Sequence, residues 1–275
     1  MSSAAGDQPG PAPNAVETIH LARRFGAELA VDDLCLTIRA GSIFGLLGPN
    51  GAGKSTTIKM LTTLLPPTSG SAAVAGFDVV REARSVRRRI GYVPQMVSAD
   101  GALTGRENLV FTAELQSVPR HELDQRVEEA LAFMGLGDAA SKLVQSYSGG
   151  MVRRLELAQA MLHRPKVLFL DEPTIGLDPV ARRAVWDRLV ELGRDMTIVL
   201  TTHDMEEADR LCAEVAILHR GRVVALGAPA TLKAAVGADA TLDDVFAHHT
   251  GGSIEPGGQI GDVQSARRTA RRLGG

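Results

Sequence analysis

The sequence predicts an α/β fold with a parallel-rich sheet, because short apolar runs alternate with helical patterns along most of the chain. Four of these runs have the length and composition of buried strands. They cover residues 42–47, 90–93, 166–170 and 197–201. The first, third and fourth runs are each followed by a glycine-rich or acidic turn and a helix-like stretch, as in parallel strands joined by crossover helices. We therefore expect functional side chains at the C-terminal ends of these strands.

Amphipathic segments replace the strand pattern from about residue 96 to residue 164. Segments 105–116 and 121–134 have the apolar spacing of helices, which predicts a helical subdomain inserted between strands. Downstream, apolar runs at 215–218 and 223–226 flank a short polar turn and predict a β-hairpin.

The two ends of the chain differ in composition from its centre. Residues 1–14 and 251–275 have little apolar surface to bury and are predicted to be disordered. Between them we expect a main domain at 15–228 and a C-terminal extension at 229–250. Four arginines in the last segment have the spacing of a short basic helix, but a solvated tail is the simpler interpretation. They are Arg267, Arg268, Arg271 and Arg272.

Composition excludes some classes of function. The 275 residues include 30 basic and 32 acidic side chains, so the chain has no excess of positive charge that would attract nucleic acid. We therefore expect no nucleic-acid partner. Cys35 and Cys212 lie far apart without neighbouring metal ligands, which favours a reduced cytosolic setting over a disulfide or zinc site. No segment approaches the roughly 20 apolar residues of a membrane-spanning helix.

A glycine-rich segment directly after the first predicted strand matches the phosphate-binding loop pattern G-x-x-x-x-G-K-[ST]. It comprises Gly48, Pro49, Asn50, Gly51, Ala52, Gly53, Lys54 and Ser55, and Thr56 continues into a helix-like stretch. Glycines let backbone amides surround phosphate groups, and the helix N-terminus adds a positive dipole. We expect Lys54 to neutralise the β- and γ-phosphates of ATP and Ser55 to bind Mg²⁺.

The apolar run at 166–170 ends in Asp171 and Glu172. An acidic pair at a strand end is by itself more typical of a helix N-cap. Beside a phosphate loop, the pair predicts that Asp171 holds Mg²⁺ and that Glu172 is the general base that polarises the attacking water.

Ser148-Gly149-Gly150 precedes a helical pattern and suggests a second anion-binding segment. With this segment, residues 16–226 resemble the nucleotide-binding domain of ABC transporters, although Tyr147 and Met151 depart from the usual Leu-Ser-Gly-Gly-Gln. The resemblance implies a P-loop NTPase core of the ABC ATPase type with an N-terminal antiparallel β part. It also implies a head-to-tail homodimer, in which the Ser148 segment of one copy closes over ATP bound by the other.

Five further positions match motifs of this family. Gln95 resembles the Q-loop glutamine that contacts Mg²⁺ and relays nucleotide state to the membrane partner. His203 resembles the switch histidine at the γ-phosphate. Asp178 resembles the aspartate of the loop that crosses the dimer interface, and it equally fits a helix N-cap with Pro179 at the first helical position, or both. Phe25 resembles the aromatic residue that stacks on adenine, with Val31 beside it.

A C-terminal segment at 241–246 resembles the Leu-Glu-Asp-Val-Phe element of exporters of the daunorubicin-resistance type. The resemblance implies an ATP-hydrolysing subunit that powers export of a hydrophobic compound, such as a drug, an antibiotic or a lipid. It would act through a separate integral membrane permease, peripherally at the cytoplasmic face of the cell membrane.

Three other interpretations compete with an exporter subunit. The first is a soluble ABC ATPase that acts as an assembly factor and moves no substrate, against which the 241–246 element argues. The second is a protein that binds ATP without turnover, against which intact Lys54, Asp171, Glu172 and His203 argue. The third is import, since the same ATPase core serves both directions.

Overall fold

A computed structural model of the chain describes residues 14–255 and 259–261. Along the chain, the strands are β1 (Asn14–Phe25), β2 (Glu28–Arg39), β3 (Ile43–Leu47), β4 (Ser69–Val74), β5 (Phe77–Asp78), β6 (Ile90–Val93), β7 (Val167–Asp171), β8 (Thr197–Thr202), β9 (Glu214–His219), β10 (Arg222–Gly227), β11 (Ser253–Glu255) and β12 (Gln259–Gly261). The α-helices are α1 (Lys54–Leu61), α2 (Ala83–Arg87), α3 (Gly105–Leu115), α4 (Arg120–Phe133), α5 (Gly149–Met161), α6 (Pro179–Leu192), α7 (Met205–Leu211), α8 (Pro229–Val236) and α9 (Leu242–Thr250).

The central sheet has the order β10-β9-β3-β8-β7-β6, and only the β9–β10 pair in it is antiparallel. This arrangement confirms the predicted parallel-rich sheet, and the six predicted strands agree with the observed ones to within one residue at each end. Leu47 of β3 pairs with Thr202 of β8, and Asp171 of β7 pairs with Thr201. The C-terminal ends of these strands therefore meet at one edge.

A second sheet of order β2-β1-β4-β5 is antiparallel throughout and forms the expected N-terminal β part. Its register is interrupted at several points along the long β1–β2 pair. These interruptions break the simple alternation of apolar and polar residues that identifies a strand in a sequence.

The core has two layers, one on each face of the central sheet. Along each central strand, successive apolar residues alternate between the layers, so that Leu46 and Phe169 pack toward the antiparallel sheet and Leu47 and Leu170 pack toward the helices. A parallel sheet covered on both faces is apolar along its whole length, which is why these strands appear in the sequence as unbroken apolar runs.

Helices α3, α4 and α5 lie between β6 and β7, in the region predicted to be helical. Thr104 begins α3 in a capping box with Glu107, in which each residue bonds the backbone of the other. Ser148 is the N-cap of α5 and accepts a hydrogen bond from the Met151 backbone amide.

The C-terminal extension folds back onto this core. Helix α9 buries Leu242, Val245 and Phe246 in the layer formed with the helices. Beyond it, β11 and β12 pair in an antiparallel hairpin with Ile254 opposite Ile260, within the segment for which the sequence predicts disorder. β-Branched residues favour strands even within a glycine-rich segment. The four arginines at 267–272 and residues 1–13 lie outside the described residues.

Candidate functional site

The segments that follow three central strands converge on one cleft of about 500 Å³. Gly48 follows β3, Gln95 comes after β6 and Glu172 follows β7. His203, after β8, is not among the residues that line this cleft but contacts Glu172. The cleft is lined by Phe25, Glu28, Ala30, Asn50, Gly51, Ala52, Gly53, Lys54, Ser55, Thr56, Gln95 and Glu172. The expectation that chemistry gathers at the C-terminal ends of the parallel strands is therefore met.

The phosphate-loop segment is fixed by backbone geometry that glycine permits. Gly53, which precedes α1, has a φ of +103°, and a Cβ at this position would lie 2.5 Å from the Ala30 carbonyl oxygen. The turn between β9 and β10 supports the same loop, because the Gly221 amide donates to the Ala52 carbonyl at 3.1 Å. The loop is thus held from both sides, which prepares its backbone to receive an anion.

Lys54 is buried at the base of the loop. Its ammonium group donates to the carbonyl oxygens of Gly48 at 2.8 Å and Pro49 at 3.1 Å, and it lies 3.3 Å from Glu172 Oε1. Burial lowers the pKa of Lys54, although the nearby carboxylates of Glu172 and Asp171 oppose this effect. The structure therefore offers a desolvated positive charge directly beside the loop.

Asp171 accepts two hydroxyl hydrogen bonds on the same carboxylate oxygen. Ser55 Oγ donates at 2.9 Å, and Thr201 Oγ1 donates at 2.6 Å. Hydroxyl and carboxylate oxygens are the ligands that Mg²⁺ prefers, so this group of side chains fits a magnesium ion beside the phosphate loop.

Glu172 lies between Lys54 and His203. Its side chain is buried, and its Oε2 lies 3.1 Å from His203 Nδ1 while Oε1 faces the Lys54 ammonium. The backbone of Glu172 has a φ of +48°, an uncommon conformation for a residue other than glycine. A second cavity of about 90 Å³ lies on the His203 side of Glu172. The carboxylate therefore borders two spaces that can admit small polar molecules.

The two residues expected at adenine have different environments. Phe25 lines the cleft with its side chain half exposed, and the Arg23 guanidinium lies 4.7 Å from its ring centre. Val31 is fully buried and is not among the residues that line the cleft, whereas the preceding residue, Ala30, lines it. The contact of Val31 with adenine stays a prediction.

The remaining predicted residues lie away from the cleft. Ser148 and Gly149 are exposed at the start of α5, and Gly150 is buried with α6 beside it. Asp178 is exposed and caps α6 by accepting from the Val180 and Ala181 amides, each at 2.9 Å. Both segments are therefore available at the surface for contact with a second molecule.

Sequence reasoning missed two polar residues that organise the site. Thr201 holds Asp171 and also accepts from the Glu172 amide at 3.0 Å. Glu207 is buried in α7 and accepts from Thr174 Oγ1 at 2.7 Å and from Trp186 Nε1 at 2.9 Å. The only sequence signal for Glu207 was the run of acidic residues around it. Such a run is also typical of the solvent-exposed first turn of a helix.

Comparisons with known sequences place this geometry in a family. Residues 31–175 match the ABC transporter family. Over 228 residues the chain is 47% identical to the daunorubicin/doxorubicin resistance ATP-binding protein DrrA of Streptomyces peucetius, covering 82% of this chain and 68% of DrrA. Over 211 residues it is 47% identical to the Nod factor export ATP-binding protein I of Burkholderia thailandensis, covering 76% of this chain and 69% of that protein.

Solved structures show the same fold. One described as the ATP binding subunit of an ABC transporter aligns with a TM-score of 0.76 and 30% identity, over 86% of this chain and 99% of its own. The cbiO1 structure from Clostridium perfringens, part of the complex cbiONQ, aligns with a TM-score of 0.73 and 28% identity, over 80% and 91% of the two chains. Within residues 14–255 and 259–261, no helix has the length and apolar character needed to cross a bilayer. The chain belongs to the ABC transporter family and is an ATP-hydrolysing subunit of that family.

Proposed function

We propose that this chain powers the export of a hydrophobic compound, such as a drug, an antibiotic or a lipid, through a separate membrane permease. It acts as a homodimer, bound peripherally at the cytoplasmic face of the membrane. The observation that carries the ATPase part is the contact of Glu172 with both Lys54 and His203 beside the phosphate loop. In this proposal the ATPase domain is 15–228 with its helical subdomain at 96–164, the extension is 229–250, and 1–14 and 251–275 are tails.

ATP occupies the cleft with its base near Phe25 and its phosphates against the loop from Gly48 to Thr56. The half-exposed ring of Phe25 offers a face for stacking. Lys54 then exchanges part of its contact with loop carbonyls for contact with the β- and γ-phosphates.

Ser55, Gln95 and Asp171 would hold Mg²⁺, which supplies positive charge that neutralises the phosphate oxygens during transfer. The shared hydrogen bond between Ser55 and Asp171 supports this assignment. Asp171 is kept in place for it by Thr201.

Glu172 is the general base of hydrolysis. It accepts a proton from the attacking water as the water oxygen bonds to the γ-phosphorus and the bond to the bridging oxygen of ADP breaks. Phosphate and ADP are the products, and Glu172 then returns its proton to solvent. His203, at hydrogen-bond distance from Glu172, orients the carboxylate and contacts the γ-phosphate.

The exposed Ser148 and Gly149 support a head-to-tail dimer, because they present a helix N-terminus at the surface, outside the residues that line the cleft of their own subunit. In the dimer this segment closes over the γ-phosphate held by the partner copy. Asp178, also exposed, crosses the interface between the two sites.

The permease contact lies next to Gln95. Met96 and Val97, which follow it, are 82% and 68% exposed, and Phe111 and Leu115 of α3 are also exposed. Apolar side chains at the surface near a nucleotide-sensing residue support a docking site for a membrane partner.

Export is supported by relatives whose names describe daunorubicin resistance and Nod factor export. The test is affinity isolation of tagged Glu172→Gln protein from membranes with Mg-ATP, followed by mass spectrometry. Recovery of an integral membrane protein supports the exporter subunit. Recovery of soluble proteins only, with the trapped dimer intact, would replace it with the assembly-factor function.

A further inference from the structure

Arg153 connects α5 to the backbone at the catalytic edge of the sheet. The residue is 6% exposed, and its guanidinium donates to carbonyl oxygens from two separate loops. The acceptors are Pro94, Asp171, Glu172 and Pro173, at 2.8, 3.3, 3.0 and 2.6 Å. A single side chain thus holds the carbonyls on both sides of Glu172 together with the one that precedes Gln95.

Glu156 completes this connection from the same helix. Its Oε2 lies 3.0 Å from Arg153 Nη1, and its Oε1 accepts from the backbone amide and the hydroxyl of Ser98 at 2.6 and 2.9 Å. Glu156 is 3% exposed. Both ends of the Gln95 segment, at Pro94 and Ser98, are therefore bonded to the Arg153–Glu156 pair.

The backbone of Glu172 requires such support. A non-glycine residue in the left-handed region is strained, and it keeps that conformation only when the surroundings fix it from several directions. Thr201 holds its amide, and Arg153 holds its carbonyl and those of its two neighbours. The orientation of the Glu172 carboxylate thus depends on the position of Arg153.

Arg153 also lies on the helix that begins at Ser148. Any shift of α5 when the Ser148 segment meets a nucleotide moves the guanidinium, and with it the backbone of Glu172 and the Gln95 segment. In the proposed dimer, Glu172 and the Gln95 segment act on the nucleotide bound by their own chain. The Ser148 segment instead contacts the nucleotide bound by the partner copy.

We propose that Arg153, held by Glu156, is a positioning residue that makes the catalytic geometry of one subunit depend on the nucleotide bound by the other. This inference rests on the proposed dimer. Arg153 itself contacts neither nucleotide, and it acts through the Glu172 backbone and the segment from Pro94 to Ser98.

Lysine cannot replace arginine in this role. A guanidinium presents donors in a rigid planar fork, whereas an ammonium is a compact point charge on a flexible stem. Arg153→Lys therefore keeps the charge opposite Glu156 but loses the simultaneous contacts with both loops. Arg154→Lys is the matched control, since Arg154 lies on the same helix and donates to Met134 and Gly150 carbonyls, away from the catalytic loops.

The test measures steady-state ATP hydrolysis and ATP affinity of the purified full-length chain. For Arg153→Lys we expect kcat to fall at least about tenfold, with ATP affinity changed less than about threefold and the Hill coefficient reduced toward unity. Arg154→Lys is expected to change none of these. Unchanged kcat and Hill coefficient in Arg153→Lys would overturn the inference, as would a loss of affinity as large as the loss of turnover.

Measurement of ATP-dependent dimer formation distinguishes a failure of this inference from a failure of the proposed function. Glu172→Gln and Arg153→Lys/Glu172→Gln are both expected to form an ATP-dependent dimer, because Arg153 sets catalytic geometry after closure. A double variant that stays monomeric while Glu172→Gln dimerises would contradict the positioning role. If Glu172→Gln itself stays monomeric, the proposed dimer fails first.

Discussion

His203 Nδ1 lies 3.1 Å from Glu172 Oε2, and the other oxygen of the same carboxylate lies 3.3 Å from the Lys54 ammonium. His203 and Glu172 follow β8 and β7, and Lys54 begins the helix that comes after β3; these three strands are neighbours in the central sheet. One buried carboxylate is thus held between the lysine that lines the phosphate cleft and a histidine that borders the neighbouring cavity. Replacement of Lys54, Glu172 or His203 is therefore expected to impair ATP binding or ATP hydrolysis, with a different effect for each residue.

Lys54→Met is expected to weaken ATP binding by at least about tenfold, because it removes a desolvated, charge-assisted contact with the phosphates. Titration with a fluorescent ATP analogue measures the change. Lys59→Met, at an exposed position of the same helix, is the control and is expected to bind normally. Equal affinity in both variants would remove Lys54 from the phosphate site.

Phe25→Ala is expected to lower ATP affinity about two- to tenfold, the range of a lost aromatic contact, while Phe25→Tyr retains it. Isothermal titration with ATP and with inorganic tripolyphosphate separates the base from the phosphates. If Phe25→Ala weakens both ligands equally, Phe25 does not recognise the base.

Gly150→Ala places a Cβ 2.7 Å from Ala181 Cβ and forces α5 and α6 apart. We expect a loss of about 1–3 kcal/mol in the free energy of unfolding, measured by urea denaturation. The compensating change Ala181→Gly, tested alone and combined with Gly150→Ala, completes a double-mutant cycle. Strictly additive effects would show that the two positions do not compete for the same space.

Glu207→Gln tests the buried carboxylate of α7. Burial raises the pKa of Glu207, so the unfolded chain ionises this group at lower pH than the folded chain does. Stability conferred by the protonated form is therefore lost as the pH rises from the ordinary value of 4.5 through the raised folded value. Glutamine keeps an acceptor for Thr174 and Trp186 without this loss.

We accordingly expect Glu207→Gln to melt about 2 °C or more above the parent at neutral pH, with the difference shrinking as the pH falls toward 4.5. Thermal denaturation across this range measures the effect, and exposed Glu206→Gln is the control. A difference that grows toward acid pH would reverse the assigned direction of the shift.

The central strands and the cleft could be predicted because both depend on local patterns. Strands such as β7 are buried on both faces and appear as apolar runs, and parallel topology then brings Gly48, Glu172 and His203 to the same edge. The contact partners of these residues depend on distant parts of the chain. Thr201 and Asp171 meet only because β7 and β8 pair in register.

Other features depended on tertiary packing that leaves no local pattern. Arg153 and Arg154 are adjacent arginines on one helix, yet only Arg153 faces the catalytic loops. Val31, predicted to lie beside adenine, is fully buried, which the sequence pattern did not indicate. The register shifts along the β1–β2 pair similarly interrupt the alternation of apolar and polar residues that identifies a strand in the sequence.

ATP hydrolysis by Glu172→Gln, measured beside its ability to bind ATP, tests the central claim most directly. If Glu172, held between Lys54 and His203, activates the attacking water, turnover falls at least about 100-fold, ATP affinity is retained, and an ATP-dependent dimer accumulates. Hydrolysis within a few-fold of the parent rate would contradict the assignment of Glu172 as the general base.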